Sequence, residues 1–449
     1  MTSAVEQFAS NLNFGAFAKA EELKQRLWFT FGALLIYRVG TYIPLPGIDP
    51  HALQAIFEQK NGGILDMFNM FSGGSLQRMA IFALGIMPYI SASIIMQLLT
   101  SMHPALEAMK KEGETGRKKL NQYTRYFTLL LAAIQAYGLA VGLEHVTAGH
   151  AGAAVINPGI FFRITTVITI TASTIFLMWL GEQVTARGVG NGQSLIICTG
   201  ILAGIPRAVG SMLALGQEGA ISPVQVLGII AMVIGVVAFV VFMERAARRV
   251  VVQYPKRMVG NRMAGGDSIH MPLKLNTSGV IGPIFASALL SLPTAIVGFS
   301  GIGKGSDFMD TVTGYLQFGH PVYMLIFGGL IIFFAFFYTA IVFNPDETAE
   351  NLRKQGGFVA GIRPGKATAD YLDYILTRIT VIGAAYLVFV CLLPQVLISK
   401  FNLPFYFGGT SLLIVVSVTM DTVGQIHSHL IAHQYEGLIK KTQLRGARR

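Results

Sequence analysis

Long apolar runs separated by short polar ones dominate the chain. The run from Ile64 to Leu99 is unlike the rest. Its first piece, Ile64 to Phe71, is apolar for only about two helical turns, whereas a membrane span needs roughly 20 apolar residues. Ser72, Gly73, Gly74 and Ser75 interrupt it, since paired glycines favour turns. The second piece, Leu76 to Leu99, is long enough to cross and predicts a helix with Pro88 in its interior, at the cost of one backbone hydrogen bond. Irregular backbone at membrane depth is tolerated only where protein or a water-filled cavity surrounds it. Two readings follow: a segment beside a path through the protein, or a re-entrant hairpin that only packs.

The remaining runs predict spans at Leu27–Ile43, Tyr126–Leu143, Gly159–Leu180, Ser194–Leu215, Val224–Met243, Val280–Phe299, Val322–Phe343, Ile375–Ile398 and Phe407–Val423. With Leu76–Leu99 these make about ten. Ser3 to Lys24 reads as an amphipathic surface segment with Phe8, Leu12, Phe14 and Phe17 on its apolar side. The opening 22 residues do not read as a secretory signal, because they are polar and carry Glu6, Glu21 and Glu22.

Composition agrees with this pattern: 53% of residues are hydrophobic and 13% charged, about half the usual charged share of a soluble chain. Mean hydropathy is +0.56. Gly, Ser and Thr recur within the runs, as in closely packed membrane helices, and no ten-residue alternation suggests barrel strands. Cys198 and Cys391 lie in apolar runs and read as buried unpaired thiols.

Net charge is +11, and its placement orients the chain. Of 34 Lys and Arg residues, only Arg38, Lys60, Arg78, Arg163, Arg207, Lys304 and Lys400 fall on one side of a ten-span arrangement, and the rest share the side of both termini. The positive-inside bias makes that side cytoplasmic; a wrong span count would scramble the alternation. Two loops on that side, residues 244–277 and 344–373, are long. The first contains RRVVVQYPKRM, a strand signal before a basic tip, and the second ends in GIRPGK. Docking of a partner explains their length better than charge bias alone.

A faint repeat relates Ile86-Met87-Pro88 with Ala92-Ser93 to Ile281-Gly282-Pro283 with Ala286-Ser287. These fall in spans two and seven, the second members of two five-span halves. An odd number of spans per half inverts the second half, and inverted repeats build paths at their interface.

Chemical motifs are sparse. Gly298 to Lys304 begins like a phosphate-binding loop, but Gly305 stands where Ser or Thr must hold magnesium. His427, His429 and His433 lack the residues of a metalloprotease motif and fit an interfacial tail helix. Arg38, Arg163, Glu182, Glu244 and Asp421 fall near span ends, so no ionisable chain suited to proton coupling crosses the midplane. Isoleucines stand out instead: Ile86 and Ile90 in span two, Ile197 in span five, Ile281 and Ile284 in span seven, Ile414 in span ten. Each alone reads as ordinary core. Together these stiff β-branched side chains suit a dry constriction.

Several stretches, in order, resemble the SecY family of bacterial translocon channel subunits: MFNMFSGG, ALGIMPYISASIIMQLL, KKEGETGRKKLNQYTRY, FLMWLGEQVTARGVGNG, FFYTAIVFNPDETAENL, GIRPG and LPFYFGGTSLLIVV. The resemblance runs from about Glu22 to Arg445. It implies an all-α membrane protein of about ten transmembrane helices, in two inverted five-helix halves around a central pore. The first half would span residues 27–215 and the second 216–427, between a cytoplasmic N-terminal segment (1–26) and a cytoplasmic tail (428–449). Residues 64–75 would be a plug, with Ile64, Leu65, Met67, Phe68, Met70, Phe71, Gly73 and Gly74. A pore ring would comprise Ile86, Ile90, Ile197, Ile284 and Ile414, and spans two and seven would flank a lateral gate. Lys256, Arg257 and Arg363 would dock the SecA motor ATPase or the ribosome.

The implied partners are SecE-type and SecG-type membrane subunits, signal peptides, nascent chains and the lipid bilayer; no cofactor or metal is implied. The implied function is passive translocation of secretory preproteins across, and lateral release of spans into, the bacterial inner membrane. The competing class is a secondary transporter of a small solute; a membrane scaffold is a weaker third. Two departures from the family pattern matter. Gln193 replaces an apolar residue near the ring's cytoplasmic edge and would wet the inner rim. Pro283 stands one residue late, which bears on the helix register at Ile284.

Overall fold

The computed structural model describes residues 21–49, 69, 72–145, 155–217, 223–254, 257–259, 262–264, 268–300, 315, 320–401 and 408–446. Most of the expected amphipathic segment, most of the expected plug, residues 301–304 of the phosphate-loop-like stretch and Lys256 lie outside the described residues.

The first half begins with α1 (Glu21–Gly40), which carries Glu21 and Glu22 in its first turn and Arg38 in its last, matching the helix dipole. Then come α2 (Met87–Met102), the short α3 (Pro104–Lys111), α4 (Glu114–His145), α5 (Ile160–Arg187) and α6 (Gly192–Gln217). The second half holds α7 (Pro223–Arg245), α8 (Ile281–Ser300), α9 (Pro321–Val342), α10 (Pro345–Lys354), α11 (Lys366–Phe401) and α12 (Gly409–Gly446). Leaving out α3 and α10, ten helices coincide with the ten expected spans. Among the described residues, seven of them are long and apolar enough to cross a membrane unaided. α12 runs on through residue 428, where the tail was expected to begin, to Gly446.

The second span departs from expectation. Leu76 to Gly85 is a succession of turns, and the helix begins only at Met87. Pro88 therefore sits in the first helical turn, where its missing N–H has no intrahelical acceptor to lose. It starts the helix rather than kinking it. At 1.5 Å per residue the 16-residue α2 is about 24 Å long, so it falls short of a roughly 30 Å hydrocarbon core. Pro283 is likewise in the first turn of α8, and Ile284 N–H donates to Val280 O at 3.2 Å, so the helix register there is undisturbed.

Within the first half α4 packs on α5 and α2, α5 on α6 and α1; within the second, α9 packs on α8 and α11, and α12 on α11 and α7. The halves meet on two sides: α8 against α2 and α4, and α12 against α6 and α1. Many large apolar side chains point outward, among them Trp28, Phe31, Leu35, Val224, Leu227 and Leu325. So much outward apolar surface fits a lipid surround.

The two long polar loops do not fold separately. The first forms β1 (Ala247–Gln253), the hairpin β2 (Arg257–Val259) and β3 (Arg262–Ala264), and β4 (Ser268–Lys274); the second contributes β5 (Phe358–Val359). β1 pairs antiparallel with β4, Val250 opposite Met271, and on its other edge with β5, Val252 opposite Val359. Val250, Leu273 and Val359 pack on Leu372, Leu376 and Ile379, so the sheet rides on the start of α11. Asn344 caps α10 by accepting hydrogen bonds from the amides of Asp346 and Glu347.

Candidate functional site

The turns between residue 69 and α2 are built by short polar side chains satisfying the backbone. Asn69 O accepts from Gly74 N at 2.8 Å, and Asn69 Oδ1 from Gln77 N at 2.9 Å. Ser75 Oγ lies 2.7 Å from both Ser72 O and Phe82 O. Gly73 and Gly74 take φ of 69° and 82°, a region that L side chains rarely adopt. At Gly73 a Cβ would also stand 3.0 Å from Gly200 Cα, so the turn lies directly against α6.

Two α1 side chains hold this turn from outside. The Tyr37 hydroxyl donates to Ser72 O at 3.3 Å, and Arg38 Nη1 donates to Gly73 O at 2.9 Å. Leu45 N–Met79 O and Ile81 N–Ile43 O bonds, each 2.9 Å, fasten the following turns to the chain beyond α1. Of the expected plug, Gly73 and Gly74 are thus placed in a pinned turn. Ile64, Leu65, Met67, Phe68, Met70 and Phe71 lie outside the described residues.

Four of the expected ring isoleucines fall in one large apolar cluster. Ile86, Ile197, Ile284 and Ile414 are all buried, and all belong to one apolar cluster drawn from both halves. Ile90 is partly buried and packs against that cluster. Ile86 is the N-cap of α2, and its carbonyl accepts the bond from Ile90 N at 3.2 Å. The two residues therefore sit one turn apart at the mouth of a helix, not in the middle of one. Phe285 stands edge-on to Phe334 with ring centres 5.6 Å apart, fixing α8 against α9. α2 and α8, the expected gate pair, are in contact.

The other side of the junction is polar. In the loop between α5 and α6, Gly190 N donates to Gln425 Oε1 of α12 at 2.9 Å, and Val189 N donates to Thr30 Oγ1 of α1 at 3.0 Å. Gln193 is packed at the start of α6: its backbone N–H donates to Asn191 Oδ1 at 3.1 Å and its Cγ faces Gly181. Sequence patterns did not single out Tyr37, Thr30 or Gln425, because their partners are distant in sequence.

Two ion pairs join α4 to α5. Glu144 meets Arg163 at 2.6 Å at one end, and Arg125 meets Glu182 at 2.6 Å at the other. Of the expected docking cations, Arg363 is exposed beside β5, and Arg257 lies in the β2–β3 hairpin.

Two five-helix sets closing on an apolar cluster, with an irregular pinned segment beside it and apolar side chains facing outward, define a multi-pass membrane protein. The SecY family profile matches residues 80–423. A SecY translocase subunit of Rickettsia bellii is 52% identical over 435 residues, covering 97% of this chain and 100% of that one. That of Escherichia coli K12 is 52% identical over 425 residues, covering 95% and 96%. Among solved structures, one described as a protein-conducting channel superposes with TM-score 0.62 at 18% identity over 90% of this chain and 92% of that one. Sec61 from a canine ribosome–channel complex gives 0.60 at 18% identity over 90% and 92%. The chain belongs to the SecY family. Its function is protein translocation through a membrane channel, which sets aside small-solute transport, and the family is not an enzyme family.

Proposed function

We propose that the chain is the passive channel of a bacterial inner-membrane translocon, with both termini cytoplasmic. Secretory chains pass in extended form through a gasket of Ile86, Ile90, Ile197, Ile284 and Ile414. A signal sequence or nascent apolar span enters between α2 and α8 and partitions sideways into lipid. An apolar gate suits cargo that shares hydrophobicity and little else. Residues 64–75 plug the outer side of the ring. The observation that carries this reading is the convergence of buried isoleucines from α2, α6, α8 and α12 into one cluster spanning both halves.

The chain supplies no bond chemistry, and its driving force comes from SecA or a ribosome docked through Lys256, Arg257 and Arg363. The three-stranded sheet β4–β1–β5 supports this docking role, because it joins the two basic loops. A related channel, Sec61, is found in a ribosome–channel complex. A SecE-type subunit clamps the halves and a SecG-type subunit lies alongside.

Reconstitution tests the proposal: the chain with SecE-type and SecG-type subunits, SecA, ATP and a presecretory protein in vesicles. Protease protection of that protein inside the vesicles is expected. Its absence, with the subunits shown to assemble, overturns the reading.

A further inference from the structure

The chain passes from β4, which ends at Lys274, to α8, which starts at Ile281, through a short turn that is bonded throughout. Leu275 N donates to Ala246 O at 2.9 Å, Thr277 Oγ1 to Lys274 O at 3.2 Å, and Ile284 N of α8 to Val280 O at 3.2 Å. Asn276 lies at the centre of the turn. Its Nδ2 donates to Glu244 Oε1 at 2.7 Å and to Gly279 O at 3.1 Å, and its Oδ1 accepts from Ser278 Oγ at 3.1 Å. Asn276 and Ser278 are 5% and 3% exposed.

Glu244 belongs to the last turn of α7, which leads straight into β1. One side chain therefore joins the two roots of the sheet, α7–β1 and β4–α8. A hydrogen bond to a carboxylate is stronger than one between neutral groups. α11 closes another side of the turn: a Cβ at Gly383 would stand 2.5 Å from Leu275 O, so backbone lies against backbone there. A loose linker would let the sheet shift without moving α8. A turn held this way passes displacement on, because coupling travels through packed and hydrogen-bonded groups. Ile284, a member of the apolar cluster shared by both halves, follows in the first turn of α8.

We propose that Asn276 is a positioning residue for opening. With Glu244 it forms a pivot through which a partner seated on the β4–β1–β5 sheet swings α8, and Ile284 with it, out of the seal. This rests on the docking and gate roles proposed above. Asn276 acts from the interior, by holding the start of α8 to the end of α7.

The test uses the chain reconstituted in vesicles with SecE-type and SecG-type subunits, SecA, ATP and a presecretory protein. Two quantities are read: the affinity of SecA for the vesicles, and the rate of protease-protected translocation at saturating SecA. Asn276→Ala is expected to bind SecA with unaltered affinity and to translocate about tenfold more slowly, the loss of one charge-assisted bond. Glu244→Ala removes the same bond from its other end and is expected to behave alike, so the outcome does not hang on one variant folding. Glu244→Gln keeps an oxygen for Asn276 Nδ2 and is expected to translocate at close to the unaltered rate.

A bypass separates positioning from damage to the fold. Ile284→Ser weakens the seal itself, so adding it to Asn276→Ala is expected to restore most of the lost rate, which a misfolded channel would not allow. An unaltered rate in Asn276→Ala or Glu244→Ala overturns the proposal. So does a rate that falls only in proportion to SecA affinity, a Glu244→Gln as slow as Glu244→Ala, or no recovery with Ile284→Ser. Each rate is taken relative to the unaltered chain, whose own failure to translocate would instead overturn the channel reading.

Discussion

Replacing Ile284 by serine probes the gasket most directly. Ile284 is 9% exposed and sits one turn into α8, within the cluster shared by both halves. Removing its side chain forfeits about 1.5–3 kcal/mol of apolar burial in the sealed state. The new hydroxyl adds little, because it can bond back to Val280 O, the carbonyl one turn earlier, as buried helix serines do. The sealed state should therefore weaken relative to a hydrated one by about 2 kcal/mol, or roughly thirtyfold at 1.4 kcal/mol per tenfold. The assay is ion conductance of the reconstituted resting channel in a planar bilayer, without substrate. A rise in mean leak of roughly that order is expected. Unchanged conductance, with the variant shown to be folded, would refute the gasket role of Ile284. The same change at Ile86 should leak less than burial alone suggests, because Ile86 is the N-cap of α2 and serine there caps the helix, worth about 1 kcal/mol.

Other perturbations have different expected outcomes. Pro88→Ala should change thermal stability little, within about 1 kcal/mol, since Pro88 occupies a first-turn position; a large gain in stability would restore the interior-kink reading. Glu144→Gln should lower the melting temperature more than Arg125→Gln, because Glu144 is 5% exposed while Arg125 and Glu182 are 48% and 29% exposed. The opposite ranking would show that the buried carboxylate is not what holds α4 to α5. Gly40→Leu should destabilise the fold by about 1–3 kcal/mol, because a side chain at Gly40 runs into the Phe82 ring. Arg363→Glu should weaken SecA or ribosome binding and reduce its salt dependence while leaving the melting temperature unchanged; unaltered binding would remove Arg363 from the docking surface.

The span pattern was enough to place ten helices and to mark the two long polar loops between them. These features are legible because hydrophobic length and flanking charge act locally, within one segment at a time. The isoleucines were legible as candidates for the same reason. Their place in one buried cluster was not, since helical spacing relates Ile86 to Ile90 but says nothing about Ile197, Ile284 or Ile414 on other helices. The second span misled for a local reason as well. An apolar run with one proline reads alike as a kinked helix and as turns leading into a proline-started helix. Bonds from Tyr37, Arg38 and Ile43 decide for the turns, by giving the backbone of residues 72–81 partners outside any helix.

The pairing of Val252 with Val359, which turns two loops into one sheet, and the Gly190–Gln425 bond between halves depend on chain segments far apart in sequence. The stretch from Ile64 to Leu99 shows the division most clearly. Its composition settled that it is short, apolar and broken. That Ile86 ends the turns and opens α2 was settled only by packing, because a backbone donor satisfied across the molecule leaves no trace in the run of residues around it.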